Sequence, residues 1–466
     1  AGAPGRAGAA AASPAQAAAL AALSMAGPAT PPVDLAGGLK GLRPMLTRSD
    51  LLAKVDASAQ LKALTPTVAQ VLKLTASDRT SIETVSRAIA QDQAIALKIL
   101  KLSNSAAYTR GEPVDSVQKA VVRIGLDRIR QAVLNLAVID QFTSAAFQGP
   151  LNTLQFWEHA IATGLIAAEL AHAQGEKEAD AAFTMGLLHD VGRIIYAEQL
   201  GPAYVEVIHA AQALGAPLEQ VESRLLLMSH ADVMDRILHA WGFANHLVNP
   251  IVHHHLSPAN ARNVAPKQLT EILRLGLADR LAHALLLGAS GNDTIYPIDE
   301  HCQALRLDGA AIQRVEETAR TETDNMKFTM LSNTSGAPWP KRRDELRSML
   351  NAPFRPLFVS AEPRVDSYRM FCDALADPGG EEPPNVAIVH LAAGRDRAGV
   401  SQALLAAERE RGVQELPAVV LSPGAKLTLE GPAATRRSEL LATPVQAQRL
   451  LDAVGMLLEG RAAWAA

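Results

Sequence analysis

The sequence has few cysteines and no long apolar run. Its 466 residues include only two cysteines, Cys302 and Cys372, which lie far apart and in no ligand-like spacing. This argues against a disulfide framework and a thiolate zinc site, and it favours a reducing cytosol. No stretch approaches the roughly 18 uninterrupted apolar residues of a membrane-spanning helix. We therefore expect a cytoplasmic protein without a membrane partner.

An excess of charge of either sign is also lacking. Lys and Arg number 44 against 48 Asp and Glu, which gives a formal net charge of -4. Such a balance provides no general attraction to nucleic acid or to anionic membranes. No separate helix-turn-helix or basic arm is found, so direct nucleic-acid binding is not expected. The length is typical of a soluble protein with two or three domains.

Composition and periodicity divide this multidomain chain into four parts. Residues 1–48 are rich in Ala, Gly, Pro and Ser, with too little large apolar surface to offset their ordering entropy, and predict a disordered arm. In residues 51–331 apolar residues recur at intervals of three and four, which predicts an all-α domain. Residues 332–353 lose this periodicity and predict a linker. Residues 354–460 alternate short apolar runs with helical stretches, which predicts a small doubly wound α/β domain.

Polar residues in the N-terminal half of the helical domain, residues 61–142, predict caps and turns. Asp92 is expected to cap a helix, and Gly125 to end one in the left-handed conformation. Asn104 and Ser105 follow a strongly amphipathic helix, where short polar side chains cap carbonyls or bind a neighbouring loop. For both, a structural role is favoured over contact with a ligand.

The second half, residues 150–331, carries histidines and acidic residues in stretches at ordered intervals, including a His-Asp pair. These are 156–159, 186–193, Glu222, 229–231, 241–242, 251–255 and 277–279. Together with 64–66, 89–94, 97–105 and 116–125 of the first half, they resemble the HDOD domain in order and spacing. HDOD domains are related to the HD phosphohydrolases and usually work without catalysis.

The resemblance implies a divalent-metal site. HD phosphohydrolases hold the metal with a first His, an adjacent His-Asp pair and a distant Asp, and the ion activates water for phosphoryl chemistry. Imidazole nitrogen and carboxylate oxygen suit Mn, Fe, Zn or Mg. The alternative is that these side chains are relics that only form hydrogen bonds inside the helical bundle. The matching residues are His159, His189, Asp190 and Asp279, with His230, His253 and His254 where binuclear HD-GYP enzymes keep additional ligands.

Three features argue against turnover. The glycine-tyrosine-proline signature of cyclic-dinucleotide hydrolases is absent after residues 253–255. The lysine that follows the His-Asp-x-Gly turn in those enzymes is Arg193 here, and a planar guanidinium does not replace a compact ammonium. Arg193 therefore has either a ligand-binding or a structural role. Met228 and Met234 flank His230, which favours packing over a polar pocket.

The α/β domain resembles a response-regulator receiver in strand order and in a few positions. Ser360 and Ala361 stand where a receiver has the acidic pair that binds Mg, and His390 stands at the phosphoacceptor aspartate. Ser422 matches the switch hydroxyl, and Thr443 replaces the lysine. The resemblance implies a degenerate receiver that serves for docking or dimerisation and is not phosphorylated on aspartate.

These observations favour a bacterial signal-transduction protein whose HDOD domain is a non-catalytic output or interaction module with a signalling protein as partner. A bound divalent metal, a small nucleotide ligand and a homodimer are compatible with this function. The alternative is a metal-dependent HD-type phosphohydrolase that acts on a nucleotide or cyclic dinucleotide.

Overall fold

The computed structural model describes residues 39–61, 65–75, 80–105, 108, 112–143, 151–176, 179–331, 341–377, 382–392 and 396–462. Within these residues, a helical unit precedes a unit built on a four-stranded parallel sheet. The predicted change from helices to a parallel sheet is therefore confirmed. None of the described helices combines the length and the apolar character that a membrane span requires.

Capping side chains set the starts of helices in the N-terminal half of the helical unit. The Asp92 carboxylate accepts hydrogen bonds from the N–H groups of Ala94 and Ile95, and the Ser116 hydroxyl accepts one from Lys119. These bonds satisfy N–H groups that a first helical turn leaves unpaired, and the one at Asp92 confirms the predicted cap. The helices are α1 (Arg48–Leu61), α2 (Pro66–Thr75), α3 (Ile82–Ala90), α4 (Gln93–Ser103), α5 (Val117–Ile124) and α6 (Leu126–Thr143).

Gly125 joins α5 to α6 in a conformation that differs from the predicted one. Its φ of +92° is positive as expected, but its ψ of 153° is extended rather than left-handed helical. The difference arises because α6 starts at the next residue, so the chain must change direction within one residue. Positive φ with extended ψ is open to glycine almost alone.

The second half is organised around α7 (Thr153–Ala173), which is buried on nearly all sides. It approaches α8 (Asp180–Leu188) backbone to backbone, since a Cβ on Gly186 would lie 2.5 Å from Gly164 Cα. The remaining helices of this unit are α9 (Val191–Leu200), α10 (Pro202–Leu214), α11 (Leu218–Leu225), α12 (His230–Ala240), α13 (Asn245–His253), α14 (Pro258–Val264), α15 (Leu269–Ala284), α16 (Asp299–Leu305) and α17 (Gly309–Leu331).

The helical unit also contains a short strand, which corrects the all-α prediction. β1 (Thr294–Ile295) pairs antiparallel with β6 (Val445–Gln446) of the α/β unit. Two residues are too few for an alternating pattern, and the strand exists because of a partner about 150 residues away. Sequence periodicity therefore carries no signal for it.

The sheet of the α/β unit has the order β2-β3-β4-β5, with all neighbours parallel. Its residues alternate between two cores, so helices cover both faces. α19 and α21 pack on one face and α20 on the other. The strands are β2 (Pro356–Ser360), β3 (Val386–His390), β4 (Ala418–Pro423) and β5 (Ser438–Thr443); the helices are α18 (Arg342–Arg347), α19 (Ser367–Leu375), α20 (Arg397–Glu410) and α21 (Ala447–Ala462).

Two segments that composition assigned to an arm and a linker contain ordered contacts. Residues 39–48 pack apolar side chains on the helical core, and the Met45 N–H donates to the Leu225 carbonyl at 2.8 Å. The disordered-arm prediction is thus wrong for 39–48, because it weighed local composition and not a distant core; its remainder, residues 1–38, lies outside the described residues. The predicted linker contains α18, whose Arg342 pairs with Asp293 at 2.7 Å.

Candidate metal centre

Four of the sequence-proposed ligands converge in the interior of the helical unit. His159 lies on α7, His189 and Asp190 lie between α8 and α9, and Asp279 lies on α15. Their ligand atoms all lie within 4.8 Å of one another. The close approach of α7 and α8 at Gly186 makes this convergence possible, because it brings the two histidine-bearing backbones together.

The distances within this group are those of a compact polar cluster. His159 Nε2 lies 3.1 Å from Asp279 Oδ1 and 4.0 Å from Asp190 Oδ2. His189 Nε2 lies 3.4 Å from Asp190 Oδ2 and 3.4 Å from Asp279 Oδ1. None of the four residues is more than 2% exposed. Such a buried set of charges needs a compensating partner.

A second group adjoins the first through Asp190. It contains His230, His254 and His255, whose ligand atoms and that of Asp190 also lie within 4.8 Å. His230 Nε2 lies 3.0 Å from Asp190 Oδ1 and 3.2 Å from His255 Nε2. Asp190 is therefore shared, with Oδ2 toward the first group and Oδ1 toward the second.

Hydrogen bonds on the far side of each ring orient the histidines. Nδ1 of His189 lies 2.6 Å from the Gly186 carbonyl, and Nδ1 of His254 lies 2.6 Å from the Ile251 carbonyl. Since a carbonyl only accepts, each Nδ1 carries the proton and each Nε2 is left to face the cluster. Glu222 does the same for His230 at 2.6 Å. This is the arrangement by which proteins present imidazole to a metal.

Several buried polar atoms in the centre have no hydrogen-bond partner among the described residues. They include His189 Nε2 beside the first group and His254 Nε2 beside the second. Each unsatisfied buried polar atom costs about 1–3 kcal/mol, so such a concentration calls for an explanation. Imidazole nitrogen and carboxylate oxygen are ligands that divalent cations accept, so the residues of each group fit such an ion.

Arg193 lies beside the cluster and is completely buried. Its Nη1 donates to Asp190 Oδ2 and to Ser290 Oγ, and its Nε lies 3.8 Å from Glu222 Oε1. The guanidinium is therefore directed at protein carboxylates and not at solvent. It pairs with the same Asp190 oxygen, Oδ2, that faces His159 and His189.

The cluster shifts the pKa values of its members in opposite directions. Burial lowers the pKa of His159 to about 4, with the His283 ring adding to the effect. Burial also lowers the pKa of His254 to about 3. Burial alone would lower that of His189, but the Asp190 and Asp279 carboxylates raise it to about 10. Neutral imidazoles at His159 and His254 are in the protonation state that a metal ligand requires.

Comparison with known proteins identifies part of the helical unit. Residues 61–257 match the sequence profile of the HDOD domain. These residues are an HDOD domain. A protein of unknown role from Treponema pallidum (strain Nichols) is 24% identical over 171 residues, which cover 36% of this chain and 33% of that protein. The match thus spans about a third of the length of that relative.

Several solved structures are similar to this chain. An HDOD protein of unknown function from Geobacter sulfurreducens is 24% identical, covers 58% of this chain and 91% of its own, and has a TM-score of 0.46. A candidate phosphohydrolase from Shewanella amazonensis SB2B is 24% identical, covers 60% of this chain and 96% of its own, and has a TM-score of 0.47. A candidate signal-transduction protein from Marinobacter aquaeolei VT8 is 18% identical, covers 64% of this chain and 65% of its own, and has a TM-score of 0.47. Similarity at this level assigns neither an activity nor a ligand.

Three sequence expectations near the HDOD centre need correction. His253 belongs to neither group, and its place is taken by His255, which the sequence argument missed. The run of three histidines was the available signal, but α13 ends within it, so the ring directions there do not follow helical spacing. His230 does not lie in a purely apolar setting, because it bridges Glu222 and Asp190. Glu222 was likewise not recognised as a site residue.

The first-half residues Asn104 and Ser105 make local backbone contacts at the end of α4. The Asn104 amide both donates to the Val114 carbonyl and accepts from its N–H, each at 2.9 Å. The Ser105 hydroxyl donates to the Leu102 carbonyl at 2.7 Å. These bonds fix the turn between α4 and α5, as a structural role requires.

The receiver-like positions lie along the sheet of the α/β unit. Ser360 and His390 are register partners at the carboxyl ends of β2 and β3. Together with Ala361 they line a pocket at this edge of the sheet. His390 Nδ1 lies 2.7 Å from the Asp366 carboxylate. The Ser422 hydroxyl accepts from the Leu427 N–H, and Thr443 is the last residue of β5.

Proposed function

We propose that the HDOD domain is a non-catalytic signalling module whose interior holds one divalent metal ion. Its ligands are His159, His189, Asp190 and Asp279. The observation that carries the proposal is the convergence of their ligand atoms within 4.8 Å, with His189 Nε2 lacking a hydrogen-bond partner among the described residues. When bound, the ion supplies positive charge to two buried carboxylates and accepts the ring nitrogens, which ties α7, α9 and α15 together.

Burial of the ligand set supports a structural rather than a catalytic metal. A catalytic ion keeps a coordination position that substrate can reach, whereas a structural site is closed. All four proposed ligands are buried, and in the adjoining group only His255 is partly exposed. Arg193 is turned toward Asp190 and is not available to a phosphate group. The module then acts by contacting a signalling protein and not by turnover.

Metal content tests this proposal directly. We expect the purified protein to contain about one equivalent of a divalent transition metal by plasma mass spectrometry, and Asp190→Ala to lose it. His253→Ala is the matched control, since His253 lies outside both groups and its removal should leave metal content unchanged. Absence of metal from the wild type, with no thermal stabilisation by added Zn²⁺ or Mn²⁺, would contradict the proposal.

A second candidate function is metal-dependent phosphohydrolysis of a nucleotide or cyclic dinucleotide. The observation in its favour is that Asp190 is shared between two adjoining groups of ligands, as a pair of metal ions would need. We expect no Mn²⁺-dependent hydrolysis of bis(p-nitrophenyl) phosphate or cyclic dinucleotides above that of Asp190→Ala. Turnover by the wild type that is lost in this variant would instead establish the enzyme.

For the α/β unit we propose a degenerate receiver that serves as a docking module. The connections from β2 to β3 and from β3 to β4 advance in the same direction, yet α19 and α20 lie on opposite faces. One connection must therefore be left-handed, which is rare for parallel strands. A receiver-type sheet of order 2-1-3-4-5 without its second strand and helix has this arrangement, which supports the proposal.

A further inference from the structure

A buried non-helical segment of the helical unit contacts both units and is not used in the function proposed above. We name residues 288–298, between α15 and α16, the strap. Most of its residues are buried, including Ser290, Asn292 and Thr294. Buried irregular backbone is uncommon, because its polar groups must find partners. Here those partners belong to both units.

The first end of the strap lies directly on the helix that carries His159. The Ala289 N–H donates to the Gln155 carbonyl at 3.0 Å. A Cβ on Gly288 would lie 2.2 Å from that carbonyl and 2.4 Å from the His159 N atom. No side chain fits between the strap and α7, so the two backbones move together.

The next residue of the strap reaches the metal centre through Arg193. Ser290 accepts hydrogen bonds from Arg193 Nη1 on its hydroxyl and, at 3.5 Å, on its carbonyl. The same Nη1 donates to Asp190 Oδ2. The orientation of the Asp190 carboxylate, on which both groups of ligands depend, is therefore linked to the position of Ser290.

The second end of the strap is held by the α/β unit. Thr294 and Ile295 form the ladder with β6, and the Gln446 amide donates to the Thr294 hydroxyl at 3.0 Å. The Ser367 hydroxyl donates to the Tyr296 carbonyl at 2.6 Å. Thr294 lies only four positions after Ser290, a span of at most about 14 Å. A shift of the docked unit is thus carried to Ser290 through packed backbone.

We infer that the strap couples docking of the α/β unit to metal affinity at the HDOD centre, with Ser290 as a positioning residue that acts through Arg193. The inference rests on the metal site proposed above. Coupling of this kind is reciprocal: if docking favours the metal, the metal favours docking by the same factor. The α/β unit thereby becomes the sensor or the reporter of the metal-bound state.

Calorimetric titration of the metal-free full chain with Zn²⁺ tests the inference. We expect Ser290→Ala and Gln446→Ala each to weaken Zn²⁺ binding by about tenfold, the lower range for residues that orient metal ligands. Gln448→Ala is the matched control, because Gln448 is exposed and its amide donates to Asp452 of the same helix, α21. Its Zn²⁺ affinity should stay within about twofold of wild type, and a Ser290→Ala/Gln446→Ala chain should lose less than the product of the single effects.

A measurement on the wild type avoids dependence on variants that fold poorly. The Ala447 N–H donates to the Asp293 carbonyl of the strap at 2.8 Å. We expect Zn²⁺ to slow hydrogen exchange at this amide and along 288–298. If the wild type binds Zn²⁺ but neither exchange nor the two variants' affinities change, the metal site stands and the coupling is refuted. If the wild type binds no Zn²⁺, both proposals fail.

Discussion

Asp190 and Gly288 carry the heaviest demands at the scale of single residues. Asp190 lies within 4.0 Å of four histidines and pairs with Arg193, so no neutral or longer side chain can replace it. Gly288 combines a φ of +76° with contact against the Gln155 carbonyl. Sequence patterns single out the first through its neighbour His189. They give no reason to single out Gly288 among the 31 glycines.

A pair of glycine substitutions separates backbone strain from steric conflict. Gly288→Ala suffers both and should lower the free energy of unfolding by about 2–4 kcal/mol. Gly175→Ala has a similar φ of +87° but open space around its Cβ, so it should cost about 1 kcal/mol. Urea unfolding followed by circular dichroism measures both. Equal losses in the two variants would show that the strap does not press on α7.

At the scale of elements, the sequence predicts the starts of helices better than their relations. The caps at Asp92 and Ser116 follow from local chemistry, since a short polar side chain and the next turn suffice to form them. The β2, β3 and β4 strands are visible as apolar runs for the same local reason. β1 and the backbone contact of α7 with α8 depend on distant partners, and no local pattern encodes them.

The same limit explains which parts of the site could be predicted. A family resemblance predicts four of the ligands: His159, His189, Asp190 and Asp279. It implies which distant residues meet in space, and the spacing of residues along one chain does not contain that information. His255 and Glu222 were not proposed, because their roles depend on how α13 ends and on where α11 packs. His253 follows from the same resemblance, which does not distinguish it from His254, and α13 ends between the two residues.

At the scale of the whole molecule, buried neutral histidines make stability depend on pH. Burial lowers the pKa of His159 to about 4, of His254 to about 3 and of His301 to about 2. In the unfolded chain each titrates near 6.5, so below that pH the unfolded state binds protons that the folded state does not. Their stability contribution is complete above about pH 6.5 and falls on acidification. His189, with a pKa of about 10, instead stabilises below pH 6.5 and loses this effect as pH rises through 10.

We therefore expect the metal-free protein to lose stability between about pH 6.5 and pH 5. Over that window each of the three histidines lowers the free energy of unfolding by roughly 1.4 kcal/mol for every pH unit of acidification. His301 lies outside both ligand groups. His301→Leu should therefore make the free energy of unfolding depend on pH with one proton fewer, while both ligand groups stay intact. Urea midpoints at several pH values measure this. An unchanged slope in His301→Leu would mean that His301 is protonated in the folded chain.

The sequence by itself determined the order of the parts: a helical region with HDOD-type stretches, followed by a small parallel α/β unit. These properties depend on composition, periodicity and local capping, which act within a few turns of the chain. The tertiary structure alone decided that Asp190 is shared, that Arg193 faces inward and that the strap joins the centre to the second unit. Each of these depends on side chains from three or more elements meeting in a closed interior. That meeting is set by backbone approach at Gly186 and Gly288, and by a two-residue ladder whose partner lies far along the chain.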